Sequence, residues 1–168
     1  TAPLDYNILS PDGKVNKGTA CDQISPIIAS DGISTSHNLV VVWEDWRSGS
    51  CQDPDIYLNW ATDEAATWQA VDTRVNDDVS TWPNWYQNYP AVAVSPQGDV
   101  AVVWQDKRNG DYDIYFQQYR FVGGVLTAMG GNQRFLLADP TKQGFDQERP
   151  DIGVDKDGIF YLAWQDKR

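Results

Sequence analysis

Short runs of apolar residues, some alternating with polar ones, are the main pattern along this chain. Three of these runs, at 39–43, 100–104 and 159–164, end in tryptophan and are bounded by Gly, Asp, Asn or Pro. Runs of this length that are rich in β-branched and aromatic residues predict strands. No stretch shows the 3.6-residue apolar period of an amphipathic helix. The pattern therefore predicts an all-β protein.

An internal repeat organises these strands. Three segments align from a proline to a Trp-x-Asp-x-Arg motif, namely residues 26–47, 90–108 and 150–168. The second and third align without a gap, whereas the first has three extra residues near 34–37. The motif tryptophans, Trp43, Trp104 and Trp164, are 61 and 60 residues apart. Asp-Ile-Tyr follows the motif at 55–57 and at 113–115, so the repeat extends beyond the arginine.

Each repeat unit predicts four strands. The first follows the proline, the second ends at the tryptophan, the third holds Asp-Ile-Tyr, and the fourth covers 68–75 or 133–138. Four antiparallel strands at this spacing predict the blades of a β-propeller. A β-sandwich is the alternative, but it does not explain the repeat.

The repeat also predicts the domain organisation. We treat 1–168 as one propeller domain or propeller fragment, with blade units at 26–89 and 90–149 and partial blades at 150–168 and 1–25. About three blades' worth of chain is a fragment or half of a six-bladed propeller. Self-association of two copies would close such a ring.

The amino-acid composition limits the classes of partner that this protein is expected to bind. The 168 residues include 13 Lys and Arg against 24 Asp and Glu, for a net charge of −11. This acidity argues against nucleic acid and against an anionic membrane surface. No apolar run approaches the roughly 18–20 residues of a membrane helix. We expect an acidic, secreted or cell-surface protein with no nucleic-acid partner and no membrane insertion.

The two cysteines are expected to form a disulfide. Cys21 lies in the connection entering the first strand of its blade, and Cys51 lies in the hairpin after the second. The blade topology places both on one face, and a cysteine pair in a secreted protein most often forms a disulfide. The alternative is two unrelated thiols.

Trp-x-Asp-x-Arg has a structural and a functional interpretation. A spacing of two places the three side chains on one strand face. The favoured interpretation is a repeated Asp–Arg pair that fixes each hairpin. In the alternative the motif arginines converge on the ring axis and bind an acidic ligand. These ligand candidates are Arg47, Arg108 and Arg168.

The segment 82–89 is the most aromatic stretch and connects two blade units. Its rings offer stacking platforms for a sugar, with Asn and Gln side chains as hydroxyl partners. The candidates are Trp82, Trp85, Tyr86 and Tyr89. The alternative is that these rings pack over the junction between blades.

Residues 61–68 resemble the Asp box, Ser-x-Asp-x-Gly-x-Thr-Trp, of sialidase-like propellers, also called the BNR repeat. Asp63, Thr67 and Trp68 match, whereas Ala61 and Ala65 depart from the usual Ser and Gly. The resemblance implies propeller blades in which the box is a folding element. Sialidases of this family use an arginine triad, an Arg-Ile-Pro motif, a Tyr/Glu pair and an acid/base Asp. No Arg-Ile-Pro occurs here, and we assign no catalytic residue.

The remaining acidic pairs predict turns. Asp53/Asp55, Asp77/Asp78, Asp111/Asp113 and Asp155/Asp157 offer oxygen ligands to calcium, but tight turns are the favoured interpretation, and we expect no cofactor. We expect a non-catalytic, extracellular recognition module for carbohydrate. The alternatives are a fragment of a sialidase-like glycoside hydrolase and an adhesin scaffold that binds a protein.

Overall fold

The structure is a computed structural model that describes residues 14–33, 37–48, 51–62, 67–78, 86–136 and 144–168. Every regular element in these ranges is a β-strand, which confirms the all-β prediction. In chain order, the strands are β1 (Gln23–Ser30), β2 (Leu39–Ser48), β3 (Asp53–Ala61), β4 (Thr73–Arg74), β5 (Gln87–Val94), β6 (Asp99–Asp106), β7 (Asp113–Val122), β8 (Val125–Ala128), β9 (Gln133–Arg134), β10 (Gln147–Val154) and β11 (Phe160–Asp166).

The strands form three antiparallel sheets. The first has the order β1-β2-β3-β4, and the second has the order β5-β6-β7-β8, with β9 also paired to β7. The third consists of β10 and β11. None of these sheets closes on itself within the described ranges.

The fourth strand is shorter than the sequence predicts. β4 pairs with β3 through Tyr57 and Arg74, and β9 pairs with β7 through Tyr115 and Arg134. These equivalent strands are two residues long, because the chain leaves the sheet after Arg74 or Arg134. In the second sheet β8 pairs with the far half of β7 after a two-glycine turn.

Each sheet begins with a bulge at Gln-x-x-Pro. The pairing register shifts there in β1, β5 and β10. The residue before each proline has a positive φ, at 55° for Ser25, 52° for Tyr89 and 52° for Arg149. A left-handed backbone is rarely adopted by a residue other than glycine. Its recurrence at these three equivalent positions therefore indicates that the bulge is a structural feature of the repeat. Bulges redirect side chains at the edge of a sheet.

The core lies between the sheets. Val40, Val42 and Leu58 of the first sheet cluster with Val100 and Trp104 of the second. Side chains alternate along a strand, so the other face of β6 is directed to the third sheet. That second gap contains an apolar cavity of about 220 Å³, lined by Ala101, Val103, Phe116, Gln118, Phe135, Ile152, Phe160 and Leu162.

A disulfide joins Cys21 to Cys51, as predicted. Their Cα atoms are 5.5 Å apart, and 30 residues separate them in sequence. The bond ties the segment before β1 to the turn between β2 and β3.

Among the described residues there is no helix long and apolar enough to cross a membrane.

Candidate functional site

The three Trp-x-Asp-x-Arg motifs each form a side-chain network at the end of a strand. In β2 the Trp43 indole donates to Asp45 at 2.9 Å, and Arg47 donates through Nε to the same carboxylate at 2.7 Å. The Cζ atom of Arg47 also lies 4.3 Å from the ring centroid of Tyr57. Asp45 is fully buried, so this carboxylate binds the indole and the guanidinium together.

The second motif repeats this geometry. The Trp104 indole donates to Asp106 at 2.9 Å, and Arg108 Nε donates to the same carboxylate at 2.9 Å. The Cζ atom of Arg108 lies 4.3 Å from the centroid of Tyr115. Burial lowers the pKa of Arg108, but the hydrogen bonds and charges of Asp106, Asp77 and Asp78 together outweigh burial, so the net pKa shift is upward. Both arginines therefore remain charged and bound to their strands.

Each of these arginines also reaches the next connection in the chain. Arg47 binds Asp72 at 2.9 Å, and Arg108 donates to Asn132 at 3.3 Å. Asp72 and Asn132 are equivalent positions, because each immediately precedes the short fourth strand. Asp72 also accepts the backbone N–H of Lys17 at 2.8 Å. In each of these two sheets the motif arginine thus links the end of the second strand, β2 or β6, to the residue that immediately precedes the short fourth strand.

The third motif is more exposed. Arg168 binds Asp166 at 2.7 Å, but its side chain is 38 % exposed, against 14 % for that of Arg108. A ligand role for the three motif arginines stays a prediction. In the first two motifs the guanidinium donors are already bound to aspartates of the same network, which agrees with the favoured structural interpretation.

The aromatic segment is described only in part, because Trp82 and Trp85 lie outside the described residues. Tyr86 is half-buried, with its ring centroid 6.4 Å from that of Trp46. Tyr89 is 42 % exposed and occupies the left-handed bulge position of β5. The two described rings therefore differ in their environment, since the Tyr86 ring packs against Trp46 of the first sheet and the Tyr89 ring faces solvent.

Arg149 joins Tyr89 at this edge. It occupies the equivalent bulge position of β10, and its Cζ atom lies 5.0 Å from the Tyr89 ring centroid. The two side chains form an exposed cation–π pair. We call this pair and the adjoining strand starts of β5 and β10 the bulge edge.

Arg149 is unusual among the arginines of this chain. The chain has seven arginines, and six of them form ion pairs with aspartates at 2.5–2.9 Å, namely Arg47, Arg74, Arg108, Arg120, Arg134 and Arg168. Among the described carboxylates, none lies within ion-pair distance of Arg149. A cation held on an aromatic ring with its donors exposed is suited to binding an anionic or hydroxyl-rich ligand.

Sequence reasoning missed Arg149. The signal was present, because Gln-x-x-Pro occurs at 23–26, 87–90 and 147–150 and aligns Arg149 with Tyr89. The alignment does not reveal the bulge. At the bulge, the Tyr89 side chain of one sheet and the Arg149 side chain of the next sheet lie against each other.

Polar residues lie next to the strand starts of the bulge edge. The Lys107 N–H donates to the Tyr86 carbonyl at 3.0 Å, and the Gln147 N–H donates to the Tyr112 carbonyl at 2.7 Å. Lys107 lies 5.3 Å from the ring centroid of Tyr112. Burial raises the pKa of the Tyr112 hydroxyl, although a hydrogen bond from Asn88 opposes the shift. The Asn88 Oδ1 atom is buried and has no hydrogen-bond partner among the described residues. The edge thus combines rings, cations and amide groups.

The Asp-box candidates are also described in part. Asp63 lies outside the described residues, while Thr67 is exposed and Trp68 is half-buried. The residue that follows, Gln69, exchanges two hydrogen bonds with the side chain of buried Asn59, at 2.9 and 3.1 Å. The turn is therefore anchored to β3, and the role of the box itself stays a prediction.

Within the described ranges no cluster of three or more His, Cys, Asp or Glu side chains is arranged to hold a metal ion. Asp155, one of the acidic residues considered for calcium, accepts the N–H groups of Asp157 and Ile159 at 2.9 Å each. These bonds are those of a tight turn.

Comparison with known proteins identifies a similar fold but does not assign the chain to a family. No family model matches the chain, and no curated protein matches it. Among solved structures it is similar to the Trypanosoma rangeli sialidase in complex with the inhibitor DANA, with a TM-score of 0.52 and 10 % sequence identity. The match covers 86 % of this chain and 27 % of the sialidase chain.

The likeness defines the class of fold. At this identity it shows the architecture alone, since one fold carries many functions. The chain has a sialidase-like, all-β fold, and it spans about a quarter of the length of the sialidase it matches.

Proposed function

We propose that this protein is an extracellular, non-catalytic recognition module that binds carbohydrate at the bulge edge and is built from sialidase-like propeller blades. The observation that carries the proposal is the exposed pair of Tyr89 and Arg149. Their separation of 5.0 Å makes one platform with an aromatic face and a guanidinium.

The chemistry of this pair suits a sugar. An exposed tyrosine ring presents an apolar face that stacks on the C–H face of a pyranose, and its hydroxyl adds a hydrogen-bonding group. A guanidinium presents donors to a hydroxyl, carboxylate or sulfate group. The left-handed backbone at Tyr89 and Arg149 holds both side chains at the start of their strands. Strained backbone of this kind clusters at ligand sites.

Neighbouring groups extend the platform. The amide of Asn88 and the hydroxyl of Tyr112 lie beside it, and Lys107 adds a second cation. Trp82 and Trp85 precede Tyr86 in sequence. We propose that these residues widen the site to more than one sugar unit.

The propeller and extracellular parts of the proposal rest on separate observations. The first and second sheets repeat the same strand order and the same Trp-x-Asp-x-Arg network, as blades do. The disulfide between Cys21 and Cys51 supports an oxidising compartment.

A glycoside hydrolase fragment is the main alternative. Glycoside hydrolysis generally uses two carboxyl groups that face each other across the scissile bond. At the bulge edge, Glu44 accepts the backbone N–H of Tyr89 at 3.0 Å, and Glu148 binds Lys167 at 2.6 Å. Both glutamates therefore make structural contacts, which favours binding without turnover.

Binding to a panel of neutral and acidic oligosaccharides, measured by calorimetry, tests the proposal. We expect saturable binding that Tyr89→Ala weakens roughly fivefold to tenfold, the loss of one aromatic contact worth about 1–1.5 kcal/mol. Arg149→Ala should selectively weaken binding of acidic glycans. Tyr161→Ala is the matched control, because Tyr161 is also an exposed tyrosine but lies on β11. Equal binding by Tyr89→Ala and Tyr161→Ala, or no glycan binding, would reject this site.

A further inference from the structure

Two cations at the bulge edge have no carboxylate partner among the described residues. Most other described lysines and arginines pair with carboxylates, and Lys14 and Lys17 donate to backbone carbonyls at 3.0 and 3.2 Å. Within the described ranges, the side chains of Lys107 and Arg149 make no ion pair, and each lies on a tyrosine ring instead. The chain has 24 acidic and 13 basic residues, so a cation without a carboxylate is unusual here.

Backbone hydrogen bonds place the two cation–ring pairs at the same edge. The Lys107 N–H donates to the carbonyl of the residue before β5 at 3.0 Å. The Tyr112 carbonyl accepts the N–H of the first residue of β10 at 2.7 Å. Lys107 and Tyr112 therefore lie beside the starts of β5 and β10, the two strands on which Tyr89 and Arg149 meet.

Asn88 connects the two pairs. It immediately precedes Tyr89 in the chain, and its side chain forms a hydrogen bond with the Tyr112 hydroxyl. The Oδ1 atom of the same amide is buried and has no donor among the described residues. A buried acceptor without a donor is destabilising, so a ligand hydroxyl that donates to it contributes to binding. This acceptor favours a ligand with hydroxyl groups over a bare anion.

The carboxylates next to this edge are bound to other groups. Glu148 binds Lys167 at 2.6 Å, and Asp146 accepts a backbone N–H at 3.1 Å and lies 3.6 Å from Lys167. Glu44 accepts a backbone N–H at 3.0 Å. The net charge of −11 also repels anions at long range. An anionic ligand at this edge is therefore held by local contacts with the two cations and not by the overall field of the protein.

We propose that the glycan bound at the bulge edge is acidic and carries anionic groups on two of its sugar units, one bound by Lys107 and the other by Arg149. This inference rests on the carbohydrate recognition proposed above and specifies the class of ligand. The rings of Tyr112 and Tyr89 hold the two cations in place, and the Oδ1 atom of Asn88 accepts a sugar hydroxyl. Uronate carboxylates and sulfate esters are both suitable anions for these cations.

A matched set of oligosaccharides tests the proposal. The probe is a chondroitin sulfate hexasaccharide, which carries carboxylates and sulfates on alternating units, and calorimetry measures its binding to the whole protein. Three modified forms complete the set: one without sulfates, one with the carboxyl groups reduced to alcohols, and a neutral form with both changes. We expect the neutral form to bind at least roughly tenfold more weakly than the charged form. The two partly charged forms show whether carboxylates or sulfates are the bound anions.

Variants of the protein locate the anionic groups. Lys107→Gln and Arg149→Gln should each weaken binding of the charged hexasaccharide roughly tenfold and leave binding of the neutral form unchanged. Lys156→Gln is the matched control, because it changes the net charge by the same amount and Lys156 is a highly exposed cation paired with Asp157. Equal affinities of the three variants for the charged form would overturn the proposal. Asn88→Ala should weaken binding of both forms, and unchanged binding would contradict the hydroxyl contact.

The outcomes separate this inference from the recognition proposal on which it rests. Equal affinities for the charged and neutral hexasaccharides would overturn the inference and leave carbohydrate recognition standing. Binding of neutral glycans from the calorimetric panel without binding of the charged hexasaccharide would have the same meaning. If no glycan binds, charged or neutral, both proposals fail. The thermal midpoint of each variant shows that a loss of binding does not arise from unfolding.

Discussion

The side chain of Glu44 accepts the backbone N–H of Tyr89 at 3.0 Å, across the gap between the first and second sheets. Gln105 makes the same bond to the N–H of Arg149, at 2.9 Å, across the next gap. Glu44 and Gln105 are equivalent residues, and both bonds end at a left-handed bulge residue. The sheets are therefore joined at their bulges by a repeated side-chain bond as well as by apolar packing.

Glu44→Ala should destabilise the protein, whereas Glu44→Gln should not. The alanine variant removes the acceptor for a half-buried N–H, at a cost of about 1–3 kcal/mol in the free energy of unfolding. The glutamine variant reproduces the residue found at 105 and keeps an acceptor. Urea unfolding at pH 7 measures both. If the two variants lose the same stability, the inter-sheet bond does not hold the bulge.

Asp106→Asn should cost much more stability than Asp166→Asn. Asp106 is fully buried and binds both the Trp104 indole and the partly buried Arg108. Neutralising it leaves this guanidinium with the more exposed Asp77 at 2.8 Å and the more distant Asp78 at 3.7 Å. Breaking a buried ion pair costs about 3–5 kcal/mol, whereas exposed pairs contribute about 0–1 kcal/mol. The more exposed Asp166 is the matched position in the third sheet. Denaturant midpoints of the two variants should differ clearly, and equal midpoints would contradict the structural role of the motif.

Reduction of the disulfide should lower stability without unfolding the sheets. A closed loop of about 30 residues corresponds to roughly 3–4 kcal/mol of lost chain entropy in the unfolded state. The double variant Cys21→Ser with Cys51→Ser should reproduce the effect of reductant, as measured by the thermal midpoint. Thiol titration under denaturing conditions should find no free thiol in the wild type. Two titratable thiols would contradict the pairing.

Asp72 should make stability dependent on acid pH. Burial raises the pKa of its carboxyl, but hydrogen bonds from Arg47, Lys17 and Asn59 outweigh burial and lower the net pKa. A lowered folded pKa stabilises the protein above the unfolded pKa, and this contribution is lost as pH falls through the folded pKa. The free energy of unfolding should therefore decline below about pH 4.

The variant Asp72→Asn isolates this contribution. It should be less stable than the wild type at pH 7, and the stability gap should narrow as the pH falls. Asp157→Asn is the control, because Asp157 is exposed and its ion-pair partner among the described residues is neighbouring Lys156. A gap that stays constant from pH 7 to pH 2 would show that Asp72 does not titrate with unfolding.

Much of the fold is predictable from local pattern, whereas the candidate site is not. The spacing of Trp43, Trp104 and Trp164 predicts the repeated strands, and the disulfide follows from the placement of Cys21 and Cys51. Strand propensity does not reveal that the fourth strand is only two residues long, since the point where it begins depends on tertiary contacts such as that of Asp72 with Arg47.

The bulge edge depends on tertiary structure. The left-handed backbone of Tyr89 and Arg149 is unusual for these residue types, so residue preference gives no indication of it. Their contact joins residues of two different sheets, 60 positions apart in sequence. The Gln-x-x-Pro repeat aligns the two positions, but the structure is needed to show that the arginine at one of them has no aspartate partner among the described residues.

Recognition without hydrolysis is the central claim, and one experiment tests it most directly. The whole protein is incubated with the best-binding glycan from the calorimetric panel, and released sugars are measured by mass spectrometry over many hours. The account predicts saturable binding with the glycan recovered intact. Release of a sugar at a rate above the buffer control, and its loss on substitution of a carboxylate, would contradict this account and identify a glycoside hydrolase.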